Sequence, residues 1–200
     1  MTFEHQLKQY PQAEVRSQIL NASPQRIDQA LRRSRLSIED FTALLSPQLT
    51  DNQLEVMATR AHKVTKQRFG RTILLYAPLY LSNECHNGCK YCGFSAENHL
   101  LRKTLSLAEV EREAKLLRQQ GFRHMLLLTG EAPEVAGIDY LEQAVETIKS
   151  HCGSVSIEVF PMDAEGYRRM VAAGVDGLTL YQETYDPELY REMHPYGQKS

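Results

Sequence analysis

The sequence predicts an α/β protein in which parallel βα units form the first half of a TIM-type barrel, preceded by an N-terminal helical region. Four short apolar segments alternate with amphipathic helices at intervals of roughly 25–30 residues, which is the pattern of βα repeats. Right-handed crossovers can curl such units into a barrel or spread them into an open sheet. A complete eight-stranded barrel needs about 250 residues, and this 200-residue chain supplies half of one.

The helical region is expected over residues 1–70. Ile27, Ala30 and Leu31 recur at helical spacing, and Ser37 is expected to cap a second helix. A third helix, capped by Asp51 and ended by Gly70, carries an apolar stripe of Leu54, Met57, Ala58, Ala61 and Val64. We place the half-barrel at residues 71–200, truncated after the fourth strand and the helix that follows it.

The second region alternates between strands and helices. The first strand is predicted within residues 72–81, which are apolar on both faces as in a buried parallel strand. The later strands are expected at 125–128, 155–160 and 177–181. Helix signals between and after them are a capping box at Ser106 and Glu109, Ile138 with its apolar repeat, Tyr167 with Met170 and Val171, and Asp186-Pro187. Gly121 and Gly174 are expected to end two of these helices.

Composition limits the possible partners. The formal net charge is −2, which gives no electrostatic reason to expect nucleic acid or an anionic membrane. No apolar run approaches the roughly 18 residues of a transmembrane helix, and the first twenty residues lack the apolar core of a secretory signal. A cytoplasmic protein is therefore expected. In a reducing compartment, three of the four cysteines crowding into eight positions favour metal binding over disulfides.

These three cysteines, Cys85, Cys89 and Cys92, have the spacing C-x3-C-x2-C and follow the first strand. Thiolates at this density select an iron–sulfur cluster or zinc. A four-iron cluster normally takes four cysteines, so three leave one iron open to a ligand that is not protein. A zinc ion would need a fourth ligand from His86 or His99. The alternative is disfavoured because no second short cysteine pair is present.

With Tyr91 before the last cysteine, the loop resembles that of radical S-adenosylmethionine (SAM) enzymes. Further segments resemble, in order, the 2-iminoacetate synthase (ThiH) family, tyrosine lyases of bacterial thiamine thiazole synthesis in the aromatic amino acid lyase branch. They are residues 67–70, 78–83, 91–94, 102–105, 129–131 and 181–185. The resemblance covers essentially the whole chain and corresponds to the N-terminal half of such an enzyme.

The resemblance implies a reaction. Cys85, Cys89 and Cys92 would hold a [4Fe–4S] cluster whose open iron is chelated by SAM. Reductive cleavage of SAM would give a 5′-deoxyadenosyl radical that abstracts hydrogen from L-tyrosine. The Cα–Cβ bond would then break to give 2-iminoacetate (dehydroglycine) and 4-methylphenol. A flavodoxin or ferredoxin as electron donor and the thiazole synthase ThiG as partner are likewise implied.

The resemblance also implies roles for individual residues, although no catalytic side chain beyond the cluster and SAM site is assigned. Tyr91 would lie near the adenine or only cover the cluster. Gly130 and Glu131 would bind the SAM amino group, where related enzymes have Gly-Gly-Glu. Glu158 would bond the SAM ribose, unless it faces the surface at a sheet edge. Gln182 and Glu183 are candidates for the SAM or substrate pocket. His194 and Lys199 are interpreted as surface, and Cys152 as a small buried apolar residue.

Other functions remain open at this stage. The tyrosine lyase of hydrogenase maturation (HydG) shares the same first half-barrel and differs by a C-terminal cysteine motif for a second cluster. Deazaflavin-cofactor synthases of the same superfamily are a more distant possibility. An inactive fragment, or one half of a split enzyme, is a third, because four βα units expose an open edge at the fourth strand.

Overall fold

The structure, a computed structural model, describes residues 3–200 apart from the side chain of Glu4. The first two residues of the predicted helical region therefore lie outside the described residues. Contacts divide the chain into one unit that ends at Thr72 and another that spans Ile73–Ser200. The division into domains at residues 70 and 71 stays a proposal. No helix in the described part is long and apolar enough to cross a bilayer.

The first unit is helical throughout its regular structure. Its helices are α1 (Phe3–Leu7), α2 (Gln12–Leu20), α3 (Pro24–Arg32), α4 (Ile38–Leu44) and α5 (Asp51–Phe69). Ile27 and Ala30 of α3 pack against Ala43 and Leu44 of α4 in a small core. The predicted cap at Ser37 is confirmed, because its hydroxyl accepts a hydrogen bond from the backbone N–H of Asp40 in a capping box.

Two details of α5 were predicted wrongly. Its cap is Thr50, whose hydroxyl accepts from the backbone N–H of Gln53, so Asp51 is the first helical residue. The predicted apolar stripe contacts the unit's core through Met57, whereas Leu54 and Val64 are about half exposed. Helical spacing identified the helix but not the part of its face that finds a neighbour. Gly70 ends the helix as predicted, with φ of 68°.

The second unit is a parallel four-stranded sheet in the order β1-β2-β3-β4. The strands are β1 (Tyr76–Ser82), β2 (His124–Thr129), β3 (Ser154–Glu158) and β4 (Gly177–Leu178). The helices are α6 (Leu107–Gln119), α7 (Ile138–Lys149), α8 (Ala164–Ala173) and α9 (Pro187–Met193). Spatial order follows chain order without the reversal of a doubly wound sheet, so the predicted half-barrel is confirmed.

Within the second unit, α6, α7 and α8 pack on one face of this sheet. Alternate residues of β1 (Ala77, Leu79 and Leu81) are buried there. Leu79 and Leu81 belong to a core with Met125, Leu127, Val155 and Ile157 of the sheet and Val110, Leu141, Ile148 and Met170 of the helices. The prediction that β1 is buried on both faces is wrong: Tyr76 and Tyr80 point to the opposite, inner face and are more than half exposed. Residues 73–75 are exposed and precede the strand.

The ends of the later elements also differ from the sequence pattern in places. β3 ends at Glu158, and β4 is two residues long because only Ser156 and Ile157 of β3 pair with it. On α8, Met170 is buried but Val171 is exposed, so they do not share a face. The predicted helix signals at Ser106, Asp186, Gly121 and Gly174 are confirmed. Cys152 is partly buried against the core.

Candidate cluster and cofactor site

A cavity of about 370 Å³ lies at the carboxyl ends of the strands, where the loops of a barrel build the active site. The cysteine loop that follows β1 forms one wall, and the ends of β2 and β3 form another. The lining residues are Tyr80, Cys85, Asn87, Cys89, Tyr91, Cys92, Phe94, Leu128, Thr129, Gly130, Glu131, Glu158, Tyr181, Glu183 and Lys199. Eight of the nine residues predicted for the site are thus brought together.

The three thiols of the loop are free and line this cavity. Cys89 is buried, which raises the pKa of its thiol, and the nearby Lys199 ammonium opposes that rise. Across residues 3–200, no three His, Cys, Asp or Glu side chains converge on a single-ion site. In a cluster each cysteine binds a different iron, so its ligands need not converge in this way. His86, considered as a zinc ligand, pairs instead with Glu134.

The cysteine loop is held by one guanidinium. Arg102 donates hydrogen bonds to the carbonyls of Asn83 (2.6 Å), Phe94 (2.9 Å), Ser95 (2.7 Å) and Asn98 (3.4 Å). The fork of fixed donors satisfies carbonyls on both sides of the three cysteines. The sequence placed Arg102 in a family motif without assigning it a role. In the structure, its guanidinium links the residues that precede the three cysteines to those that follow them.

Gly130 lies directly behind the first cysteine. A β-carbon at this position would lie 2.9 Å from Cys85 Cβ and closer still to the carbonyl oxygen of Glu84. The Gly130 N–H donates to the Ser82 carbonyl at 2.9 Å, which fixes the end of β2 against the start of the loop. Glycine is therefore needed here for the close approach of two backbone segments.

Glu131 is tied to the middle of the cysteine loop. Asn87 Nδ2 donates to Glu131 Oε2 at 2.5 Å, and both residues are buried. The backbone N–H of His86 donates to the Glu131 carbonyl at 3.1 Å. A buried carboxylate held by its neighbours keeps a fixed direction. Its other oxygen has no hydrogen bond among those observed, so it can face a ligand in the cavity.

Glu158 and Gln182 have different surroundings. Glu158 ends β3 in register with Leu128 of β2, which in turn pairs with Tyr80 of β1, and all three line the cavity. Gln182 does not line the cavity, and its side-chain amide donates to the Thr184 carbonyl. The prediction that Gln182 belongs to the pocket is not supported by this placement. Thr179 is the last residue of this segment whose N–H donates to β3, so the chain leaves the sheet after Thr179.

The segment after α9 folds back onto the cysteine loop. The N–H groups of Gly88 and Lys90 donate to the carbonyls of Tyr196 and Met193 at 3.1 and 3.0 Å. His194 is 1% exposed, and the side chain of Lys199 is 15% exposed. The interpretation of both residues as surface was therefore wrong. A signal was present in Pro195 and Gly197, residue types that favour a turn after α9.

Lys199 brings a positive charge into the cavity. Its Nζ lies 3.9 Å from the centre of the Tyr181 ring and 3.6 Å from Glu183 Oε1. Tyr181, which sequence reasoning left as a packing residue, also lines the cavity. Among the lining residues that the structure describes, Lys199 is the one cation beside Glu131, Glu158 and Glu183.

The residues present fit a cluster together with a polar ligand. Thr129 is among the lining residues, and its Oγ1 is buried without a hydrogen-bond partner. Three thiols at one wall and carboxylates with an ammonium at the other match an iron–sulfur cluster and a ligand that carries charges of both signs.

Residues 79–199 match the Radical SAM superfamily, and the chain belongs to this superfamily. Its members use a [4Fe–4S] cluster and SAM. Among its relatives is the 2-iminoacetate synthase of Salmonella typhimurium, 41% identical over 99% of this chain and 52% of the relative. The 3-methylornithine synthase of Methanosarcina acetivorans is 32% identical over 80% of this chain and 46% of its own length.

A solved structure agrees with this placement. A crystal structure of HydG, a maturase of the [FeFe]-hydrogenase, superposes with a TM-score of 0.84 and 28% identity, over 94% of this chain and 44% of that one. The chain spans about half the length of the 2-iminoacetate synthases that it matches.

Proposed function

We propose that this chain is the cofactor-binding half of a radical SAM tyrosine lyase. The enzyme would cleave the Cα–Cβ bond of L-tyrosine to 2-iminoacetate and 4-methylphenol and so supply the thiazole moiety of thiamine. The observation that carries the proposal is similarity to 2-iminoacetate synthase along 99% of the chain. The cavity with its three thiols at the carboxyl ends of the strands supports it.

The residues of this chain have separate tasks in the proposal. Cys85, Cys89 and Cys92 would hold the cluster, which together with SAM supplies radical chemistry when bound. Gly130 lets β2 approach the loop, and Glu131 would accept from the SAM amino group. The remaining roles belong to the far wall of the cavity.

On that wall, Glu158 would accept a hydrogen bond from the SAM ribose, and Glu183 would complete the pocket beside Lys199. Tyr91 would lie against the adenine. The carboxylates of Glu158 and Glu183 belong to a cavity that is also lined by Tyr80, Phe94 and Leu128. Such apolar walls exclude water from a reactive site. L-tyrosine, a flavodoxin or ferredoxin, ThiG and a cytoplasmic location are part of the same proposal and derive from the family resemblance.

A second candidate is the HydG type of tyrosine lyase. The superposition with HydG favours it, because nearly the whole of this chain follows the HydG backbone. The two candidates share the half-barrel and differ in a C-terminal cysteine motif for a second cluster. Sequencing the gene beyond codon 200 decides between them: a further cysteine motif would favour the HydG type, and its absence the thiamine enzyme.

The test is an anaerobic reaction of the reconstituted chain with SAM, L-tyrosine and a low-potential reductant, followed by mass spectrometry of small products. We expect 5′-deoxyadenosine, and an equal amount of 4-methylphenol would establish a tyrosine lyase and show that this half suffices. Formation of 5′-deoxyadenosine alone would place substrate control outside this half. Absence of both, despite a full cluster, would favour the inactive-fragment alternative.

Two alanine variants give a matched control for this assay. Cys89→Ala removes a thiol from the cavity and should abolish both products. Cys152→Ala removes the one cysteine that does not line the cavity, and it should leave the products unchanged. Equal loss in both variants would contradict the assignment of the loop as the cluster site.

A further inference from the structure

His194 is a buried histidine with both ring nitrogens engaged. Its Nδ1 lies 2.7 Å from the carbonyl oxygen of Tyr190, and its Nε2 lies 2.7 Å from the hydroxyl of Tyr91. A carbonyl can only accept, so Nδ1 is the donor in the first bond. The imidazole therefore connects the end of α9 to the side chain of Tyr91, which precedes the last cysteine of the loop.

Ring contacts fix the same imidazole from two sides. It stacks on Tyr190 with centroids 4.1 Å apart, and it meets the ring of Tyr91 edge to face at 5.4 Å and 83°. Helix α9 is capped at its start, where Asp186 Oδ1 accepts from the N–H groups of Glu188 and Leu189, and its end is tied to the cysteine loop, because the Lys90 N–H donates to the Met193 carbonyl. His194 thus has a defined position before any ligand binds.

Tyr91 has contacts on both sides of its hydroxyl. The same oxygen lies 2.5 Å from Glu183 Oε1, so the single phenol proton is donated either to this carboxylate or to His194 Nε2. Its side chain lines the cavity and is 45% exposed. The hydroxyl end of the ring is held, while the rest of the ring is open to a ligand.

We propose that His194 is a positioning residue that holds the Tyr91 ring in the orientation that receives SAM. His194 does not line the cavity, so its effect on the ligand passes through Tyr91. The inference rests on the proposed function in one respect, the placing of SAM beside Tyr91. His194 has no part in binding the cluster in this proposal, so its replacement should change SAM binding and not iron content, unlike replacement of the three cysteines.

The test is a double-mutant cycle with His194→Ala, Tyr91→Phe and the combined variant, measuring the SAM dissociation constant of each cluster-loaded chain by equilibrium dialysis. We expect His194→Ala to weaken SAM binding about tenfold in the parent chain. In the Tyr91→Phe background, where the hydroxyl is already absent, the same change should weaken it less than about twofold. Iron content should stay the same in all four proteins.

Controls separate this role from general stability. His194→Gln, whose amide can still bond to the Tyr91 hydroxyl, should recover part of the lost affinity. His151→Ala removes another partly buried histidine, which pairs with Glu111, and should leave SAM binding unchanged. Equal weakening of SAM binding by His194→Ala in both backgrounds, or loss of iron in that variant, would overturn the proposal.

A second measurement does not need the cluster. Amide hydrogen exchange of the cysteine loop in the cluster-free chain should be faster in His194→Ala than in the parent, and no faster in the combined variant than in Tyr91→Phe. Identical exchange in all four proteins would overturn the positioning role. Failure of the parent chain to take up a cluster would instead count against the proposed function.

Discussion

Gly130 at the end of β2 and Cys85 at the start of the cysteine loop are so close that a side chain at position 130 would collide with the loop. The contact joins the sheet directly to the first predicted cluster ligand. The position of the thiols therefore depends on the backbone of β2 as well as on the loop itself.

We expect Gly130→Ala to push the cysteine loop away from β2 and to lower the iron and sulfide bound per chain severalfold, because the neighbour is backbone and cannot rotate aside. Gly93→Ala is the matched control: it follows Cys92, and a β-carbon there would meet nothing within 4 Å. Iron and sulfide assays after anaerobic reconstitution measure both. Full loading of Gly130→Ala would show that the loop adapts freely.

The bond between Asn87 and Glu131 should stabilise the second unit even without a cluster. Asn87→Ala removes a buried donor to a carboxylate, which should lower the free energy of unfolding by about 1.5–3 kcal/mol. Asn87→Asp should be at least as damaging, since it places two carboxylates side by side. Chemical denaturation of the cluster-free chain gives both values.

A pair exchange provides the control for this bond. Asn87→Asp combined with Glu131→Gln restores one amide and one carboxylate with their positions swapped, so it should recover part of the lost stability. If the double variant is no more stable than Asn87→Asp alone, the contribution of the bond has been misjudged.

Lys199→Met should weaken SAM binding about tenfold, because it removes the one ammonium that the described lining residues offer to the SAM carboxylate. Lys199→Arg keeps the charge and should lose less. Lys115→Met removes an exposed lysine that pairs with Glu111 on α6 and should have no effect. SAM binding by Lys199→Met as tight as in the parent would show that Lys199 serves Glu183 and Tyr181 alone.

The capping box of α6 should make stability depend on pH. The Lys103 ammonium, with help from the Ser106 N–H, lowers the pKa of Glu109 from 4.5 to about 2. A carboxyl with a lowered pKa in the folded state adds stability that is present above 4.5 and is lost as the pH falls toward 2. The Tm of Glu109→Gln should therefore lie below that of the parent at pH 7, and the gap should narrow below pH 4.5. A gap that does not change with pH would contradict this origin.

Much of the fold could be predicted because its signals are local. Ser106 with Glu109, Asp186 with Pro187, and Gly174 mark helix ends through bonds within one turn of the chain. Exposure of the inner face of β1 could not be predicted, since it depends on which elements lie opposite the strand. The length of β4 likewise depends on its pairing with β3 and not on the apolar run over 177–181.

The candidate site likewise contains residues that the sequence pattern could identify and residues that it could not. The three cysteines and Tyr91 lie within eight residues, so their spacing alone indicates a cluster loop. His194 and Lys199 are about a hundred positions away, and their part in the site comes from the chain folding back after α9. Gln182 shows the opposite case, where neighbours in sequence such as Glu183 line the cavity and it does not.

The central claim is that the cysteine loop holds a four-iron cluster with one iron open to SAM. The most direct measurement is iron and labile sulfide per chain after anaerobic reconstitution, with electron paramagnetic resonance of the reduced protein before and after SAM is added. We predict about four iron and four sulfide per chain, and a spectrum that changes when SAM binds. A protein that instead holds one zinc and no sulfide, or a cluster whose spectrum ignores SAM, would contradict the account.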